Sequence, residues 1–216
     1  MYKYILFDLD GTLTDSAPGI IRCVQYALEK CGKGTCPDSN LFLFFFPPLT
    51  ESFQKVCGMT AAEANTALEY YRERFARVGM YENSVYDGIP ELLQNLRQAG
   101  KTLAVATSKP QLYAEKILEH FGLAAHFSTI AGPGFNGELP TKADVISEVL
   151  QRLHLTAADK NAAVMLGDRE HDAIGAQQNK IAIIGAGYGY SSPGELSAAG
   201  VRQIVSAPQD FADFLL

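Results

Sequence analysis

Tyr4-Ile5-Leu6-Phe7-Asp8-Leu9-Asp10-Gly11-Thr12 opens the chain with an apolar run that stops abruptly in acidic residues and glycine. Such a run, residues 4–9, predicts a buried strand that hands over to a loop. Working outward, the C-terminal part of the chain repeats a strand–helix alternation. Helices are predicted over 90–99, 111–121, 143–153 and 171–178, the first two closed by Gly100 and Gly122. Strands are predicted over 103–106, 127–131, 162–166 and 181–184. This order and these lengths predict an α/β fold, a Rossmann-like parallel sheet with helices on both faces.

The stretch that follows the first strand interrupts the alternation. Residues 20–28 have helical spacing, and 35–49 are irregular, with Pro37, Pro47 and Pro48. Residues 60–78 form a strong helical pattern that Thr60 and Glu63 can cap. We therefore expect residues 1–16 and 83–216 to make the α/β core, and 17–82 to form a small helical cap inserted into it. Arg72, Arg74 and Arg77 read as a solvated helix face. The aromatic run Leu41 to Phe46 reads as cap core and is too short to span a bilayer.

Composition narrows the function. The 216 residues are 47% hydrophobic and carry a formal net charge of −6. That balance lacks the basic footprint of a protein that binds a nucleic-acid polymer. An anionic substrate has to be drawn in by local cations. The cysteines at 23, 31, 36 and 57 form no metal-type pair and read as reduced thiols. The start of the sequence shows no basic and apolar leader pattern, so a cytoplasmic location with no membrane association is the default expectation.

Ligands of open parallel sheets sit beyond the carboxyl ends of the strands. After the first predicted strand come Asp8 and Asp10. After the strand at 103–106 come Thr107, Ser108 and Lys109, and after that at 162–166 come Gly167, Asp168 and, a turn later, Asp172. Lys142 opens the helix before that strand. Crowded carboxylates repel one another unless a cation is present. All-oxygen donors select magnesium, which takes one or two carboxylates together with water and phosphate oxygens. An ionised aspartate, with an ordinary pKa of about 3.9, needs no base to attack phosphorus. Asp10, two residues on and on the same side of an extended strand, can protonate the leaving oxygen and later deprotonate water. Thr107 can donate to a phosphoryl oxygen, and Lys142 can neutralise nucleophile and phosphate, with Lys109 as its rival. Asp172 is placed to hold metal-bound waters or to orient Lys142. His171 reads as a solvated first-turn residue, and Gly185 to Gly189 as a glycine-rich turn.

The set Asp-Leu-Asp-Gly-Thr, Ala-Thr-Ser, Lys142 and Gly-Asp-Arg-x-x-x-Asp resembles, in order and separation, the four motifs of haloacid-dehalogenase-type phosphatases. Asp87-Gly88-Ile89, Thr107-Ser108-Lys109-Pro110, Phe121-Gly122-Leu123 and Gly187-Tyr188-Gly189-Tyr190 look like the phosphoglycolate-phosphatase-like branch, and the likeness covers nearly the whole chain. The resemblance implies a magnesium-dependent phosphatase that cleaves a small phosphorylated metabolite through a phospho-aspartate. It places the nucleophile on Asp8 and the acid/base on Asp10. Magnesium would be held by Asp8, the main-chain carbonyl of Asp10, and Asp168. Gly11, Thr107, Ser108 and Lys142 would hold the phosphate, and the cap would move over the site. A 5'-nucleotidase, a sugar-phosphate phosphatase or phosphomutase, and a non-catalytic phospho-aspartate signalling module are the alternatives. The sequence departs from the branch at Asn136-Gly137-Glu138-Leu139, where an arginine is missing, at Phe46, and at Lys180, where glycine is common.

Overall fold

β-Branched and leucine-rich segments between glycine or proline stops form the strands and helices of a computed structural model that describes residues 1–36, 42–45 and 48–216. Leu41, Phe46 and Pro47 lie outside the described residues, so the reading of Leu41 and Phe46 as cap core and the departure at Phe46 are not described. In chain order the first elements are β1 (Tyr4–Phe7), β2 (Thr14–Asp15), α1 (Ala17–Lys30), α2 (Leu49–Cys57), α3 (Ala61–Arg77) and β3 (Ser84–Val85). Then come α4 (Ile89–Gln98), β4 (Thr102–Ala106), α5 (Gln111–His120), β5 (Thr129–Ala131), α6 (Lys142–Arg152) and β6 (Ala163–Gly167). The chain ends with α7 (Glu170–Asn179), β7 (Ala182–Ala186), α8 (Glu195–Ala198), β8 (Ile204–Val205) and α9 (Ala212–Leu215). The chain divides into two compact units, Met1–Asp15 with Val85–Leu216, and Ser16–Ser84.

The first unit is a six-stranded sheet in the order β5-β4-β1-β6-β7-β8. Every ladder is parallel, with Phe7 level with Val105 on one side and Leu166 on the other. The α/β expectation therefore holds. β1 lies between β4 and β6, so the chain builds outward from it first in one direction and then in the other. Central strands buried on both faces read as continuous apolar runs. Ile5, Leu6, Phe7, Val164, Met165 and Leu166 are all fully buried. Leu6, Ala104 and Met165 share a core with Val145, Ile146 and Val149 of α6 and with Ala176 of α7.

β1 stops at Phe7, two residues before the apolar pattern does. Leu9 is buried, but its carbonyl already accepts the N–H groups of Leu13 and Thr14 in a tight turn. Asp8 and Asp10 thus stand on the loop beyond the strand, and their common direction does not come from strand alternation.

The second unit is helical. Thr60 and Glu63 form the predicted capping box of α3. The helix buries Ala64, Ala67, Tyr71 and Phe75 along one stripe. Phe44 packs on Phe53 at 5.1 Å between ring centroids. Arg72 and Arg77 are exposed, but Arg74 departs from the expected solvated face. Its guanidinium pairs with both Glu82 oxygens at 2.6 and 3.0 Å, and Arg22 reaches the same carboxylate at 2.9 Å. No helix among the described residues is long and apolar enough to cross a membrane.

Candidate active site

The carboxyl ends of β1, β4 and β6, three neighbouring strands, deliver their following residues to one place. Asp8 follows β1, with its N–H tied to the Leu166 carbonyl at 2.8 Å. Thr107 follows β4, with its N–H on Ala131. Asp168 follows β6. Lys142 is the first residue of α6, behind a Thr141–Asp144 capping box that fixes where the helix begins.

Lys142 is buried, and its ammonium is the hub. Nζ lies 2.8 Å from Asp8 Oδ1 and 2.8 Å from Asp172 Oδ1, and donates to the Ala106 carbonyl at 3.0 Å. Burial works against its charge, but the carboxylates of Asp172 and Asp8 more than offset that and raise its pKa. Asp172 is fully buried, and its Oδ2 accepts the Arg169 N–H at 3.1 Å. With one oxygen on Lys142 and the other on Arg169, Asp172 orients the lysine. Lys109, the rival lysine, takes a separate place: its Nζ lies 2.9 Å from Asp10 Oδ2. Each lysine thus holds one of the two aspartates of the first motif.

Asp168 is fully buried. Its Oδ2 accepts the Tyr190 N–H at 2.8 Å and its Oδ1 the Thr12 hydroxyl at 3.3 Å. Arg169 is turned to Glu195 at 2.6 Å. Asp8, Asp168 and Asp172 each offer an oxygen within 4.8 Å of the others. With Asp10 there are four carboxylates against the ammonium groups of Lys109 and Lys142, a surplus of two negative charges. The strain shows in the titrations. Burial pushes Asp8 up to about 6, with Asp172 and Asp10 pushing the same way and Lys142 pulling back. Burial and the charges of Asp8 and Asp172 hold Asp168 well above the usual carboxylate range. Asp8 thus sits above the ordinary carboxylate value of 3.8 but still below neutral pH. Asp10 Oδ1 is also buried with no hydrogen-bond partner among the described residues. A hard dication fits this donor set, because it would cancel the surplus charge and give buried oxygens a partner.

The remaining predicted residues sort by what they touch. The Thr107 hydroxyl oxygen accepts the Lys109 N–H at 3.1 Å, a bond that leaves the hydroxyl proton to be donated. Ser108 is exposed beside it. The Gly11 N–H donates to the Thr14 carbonyl at 2.8 Å, so this glycine serves the turn instead of presenting its N–H to a phosphate. Its φ of +79° and the closeness of the Asp168 carboxylate leave no room for a Cβ. His171 is exposed, as its first-turn position implies. Two features escaped the sequence reading. The sequence offers Lys109 only as a substitute for Lys142, and its pairing with Asp10 carries no sequence signal. The stretch Gly185 to Gly189 reads in the sequence as a glycine-rich turn, yet Tyr190, the residue that follows it, donates its N–H to Asp168.

The profile of the family described as haloacid dehalogenase-like hydrolase matches residues 5–186. A Pseudomonas aeruginosa protein named 5'-nucleotidase is 46% identical over 197 residues, which span 91% of this chain and 88% of that protein. A Mycobacterium tuberculosis protein named tyrosine-protein kinase PtkA is 41% identical over 190 residues, 87% of this chain but 63% of that longer protein. Among solved structures, a predicted phosphatase from Clostridium acetobutylicum superposes with a TM-score of 0.88 at 45% identity, covering 99% of this chain and 98% of that one.

Proposed function

The chain belongs to the haloacid dehalogenase-like hydrolase family, and from that membership and the site we infer that Asp8 is the covalent nucleophile of a phosphatase acting on small phosphate monoesters. One observation carries the reading: Lys142 pins Asp8 and Lys109 pins Asp10 at separate points of one carboxylate-rich site. The two aspartates stand two residues apart, and each has its own ammonium partner.

In the first half-reaction an Asp8 oxygen attacks phosphorus, a new P–O bond forms, and the ester oxygen departs with a proton from Asp10. In the second, Asp10 takes a proton from water, the water oxygen attacks phosphorus, and inorganic phosphate leaves as Asp8 is regenerated. Lys142 keeps Asp8 aimed and holds charge beside the phosphoryl group. Asp172 keeps Lys142 in place. Thr107 and Ser108 offer hydroxyl protons to phosphoryl oxygens. Asp8, Asp168 and the main-chain carbonyl of Asp10 would hold magnesium. Magnesium, when bound, supplies positive charge that lets an anionic ester approach anionic carboxylates. The helical unit Ser16–Ser84 is the part of the chain left to choose the substrate, as a cap.

A second reading of the substrate, a 5'-nucleotide, is favoured by the 46% identity to the Pseudomonas aeruginosa nucleotidase over most of that protein's length. Phosphate release across phosphoglycolate, 5'-nucleotides and sugar phosphates with magnesium tests both. Free phosphate marks a hydrolase, and an isomeric phosphate marks a mutase. Asp8→Asn should abolish turnover while preserving the far-ultraviolet spectrum; turnover at the wild-type rate would sink the assignment of the nucleophile.

A further inference from the structure

Asp168 is fully buried, and neither lysine of the site pairs with it. Its orientation comes from a main-chain N–H, that of Tyr190, and from Thr12. A main-chain donor is only as well placed as its loop. The loop after β7 is fixed at both of its tyrosines. Tyr188 donates its hydroxyl to the Thr12 carbonyl at 2.7 Å, and Tyr190 donates its own to Asp15 Oδ1 at 2.8 Å. Between them Gly189 lies so close to the Gly11 carbonyl and the Asp168 side chain that a Cβ would collide with both. The Tyr86 ring packs edge-on against Tyr188 at 5.0 Å. The Tyr188 and Tyr190 phenols therefore clip the 187–190 turn onto Thr12 and Asp15, at and just beyond the end of the first motif, 176 and 175 residues away in sequence.

We propose that Tyr188 and Tyr190 are positioning residues for the metal site: their hydroxyls clamp the loop that sets the Asp168 carboxylate, so they govern magnesium affinity without touching substrate. The inference rests on Asp168 being a magnesium ligand. Groups that orient metal ligands commonly contribute tenfold or more to affinity. A merely structural tyrosine would lower the melting temperature of metal-free protein and leave affinity alone.

The test is isothermal titration calorimetry with magnesium chloride on the substrate-free full chain, for wild type, Tyr188→Phe and Tyr190→Phe. Metal-free melting curves check that each variant folds. If one tyrosine variant does not fold, the other, at the opposite end of the same turn, carries the comparison; if neither folds, the phenols serve the fold itself and the clamp as a device for metal affinity is overturned. The expected result is a Kd for magnesium raised about tenfold in each folded variant. In turnover, the half-saturating magnesium concentration rises more than kcat falls. A variant Kd within twofold of wild type overturns the clamp, whatever happens to the melting temperature. Failure of the wild type itself to bind magnesium would instead overturn the metal reading on which the clamp rests.

Discussion

Burial lifts the Asp8 carboxyl to about 6, and that value sets a competition between protons and a dication at the site. The sign follows from linkage. Asp8 binds its proton more tightly in the folded chain than at its ordinary 3.8, so its contribution to stability is fully present below about pH 4 and is lost as pH rises through about 6. The loss is on the order of 3 kcal/mol, from about two pKa units at 1.36 kcal/mol each. Asp168, also raised, acts in the same direction. A magnesium ion held at this site would bind the ionised forms, so it should restore at neutral pH what deprotonation removes. Melting temperatures with and without about 10 mM magnesium should differ little at pH 5 and by several degrees at pH 7.5. An equal shift at both values would contradict the coupling. At this scale the acidic residues were legible because their chemistry is local to their motifs. Lys109 was not assigned its partner, because a sequence spacing does not tell which of two aspartates a long side chain reaches.

Elements explain where reading the pattern succeeded and where it ran past the truth. The capping box at Thr60 and Glu63 was legible because both partners lie within one turn. The end of β1 was not, because Leu9 is buried like a strand residue while its carbonyl already closes a turn. The Tyr188–Tyr190 turn has no periodicity at all, and its contribution consists of bonds across long sequence separations. Lys180 shows the opposite case, an oddity in the sequence that gains a cause in the structure. It caps α7 with φ +60° and ψ +40°, the left-handed region in which a side chain crowds its own carbonyl. Glycine would relieve that crowding at some entropic cost in the unfolded chain. Lys180→Gly should therefore stabilise the protein by about 0.5–1 kcal/mol, read as a higher melting temperature in calorimetry, with magnesium affinity unchanged. A lower melting temperature would show that the lysine makes compensating contacts.

For the whole molecule, the alternation of strands and helices foretold a parallel sheet but not its strand order. That order matters, since β1 between β4 and β6 is what brings Asp8, Thr107 and Asp168 to neighbouring strand ends. The helical unit Ser16–Ser84 falls where the strand–helix alternation of the sequence is interrupted, and as the proposed cap it would choose the substrate through side chains that follow no motif. With a formal charge of −6, the chain as a whole does not draw in an anion, and Lys109 and Lys142 are the ammonium groups at this rim. Everything then turns on whether a phosphoryl group is carried by Asp8. The direct measurement is to quench the protein during magnesium-dependent turnover of an aryl phosphate, reduce it with borohydride, and locate the modified residue by mass spectrometry. An acyl phosphate at Asp8 would appear as homoserine at position 8, and only in samples that received substrate. Unmodified Asp8 in a sample caught mid-turnover, with Asp10→Asn used to slow breakdown of the intermediate, would contradict the covalent mechanism.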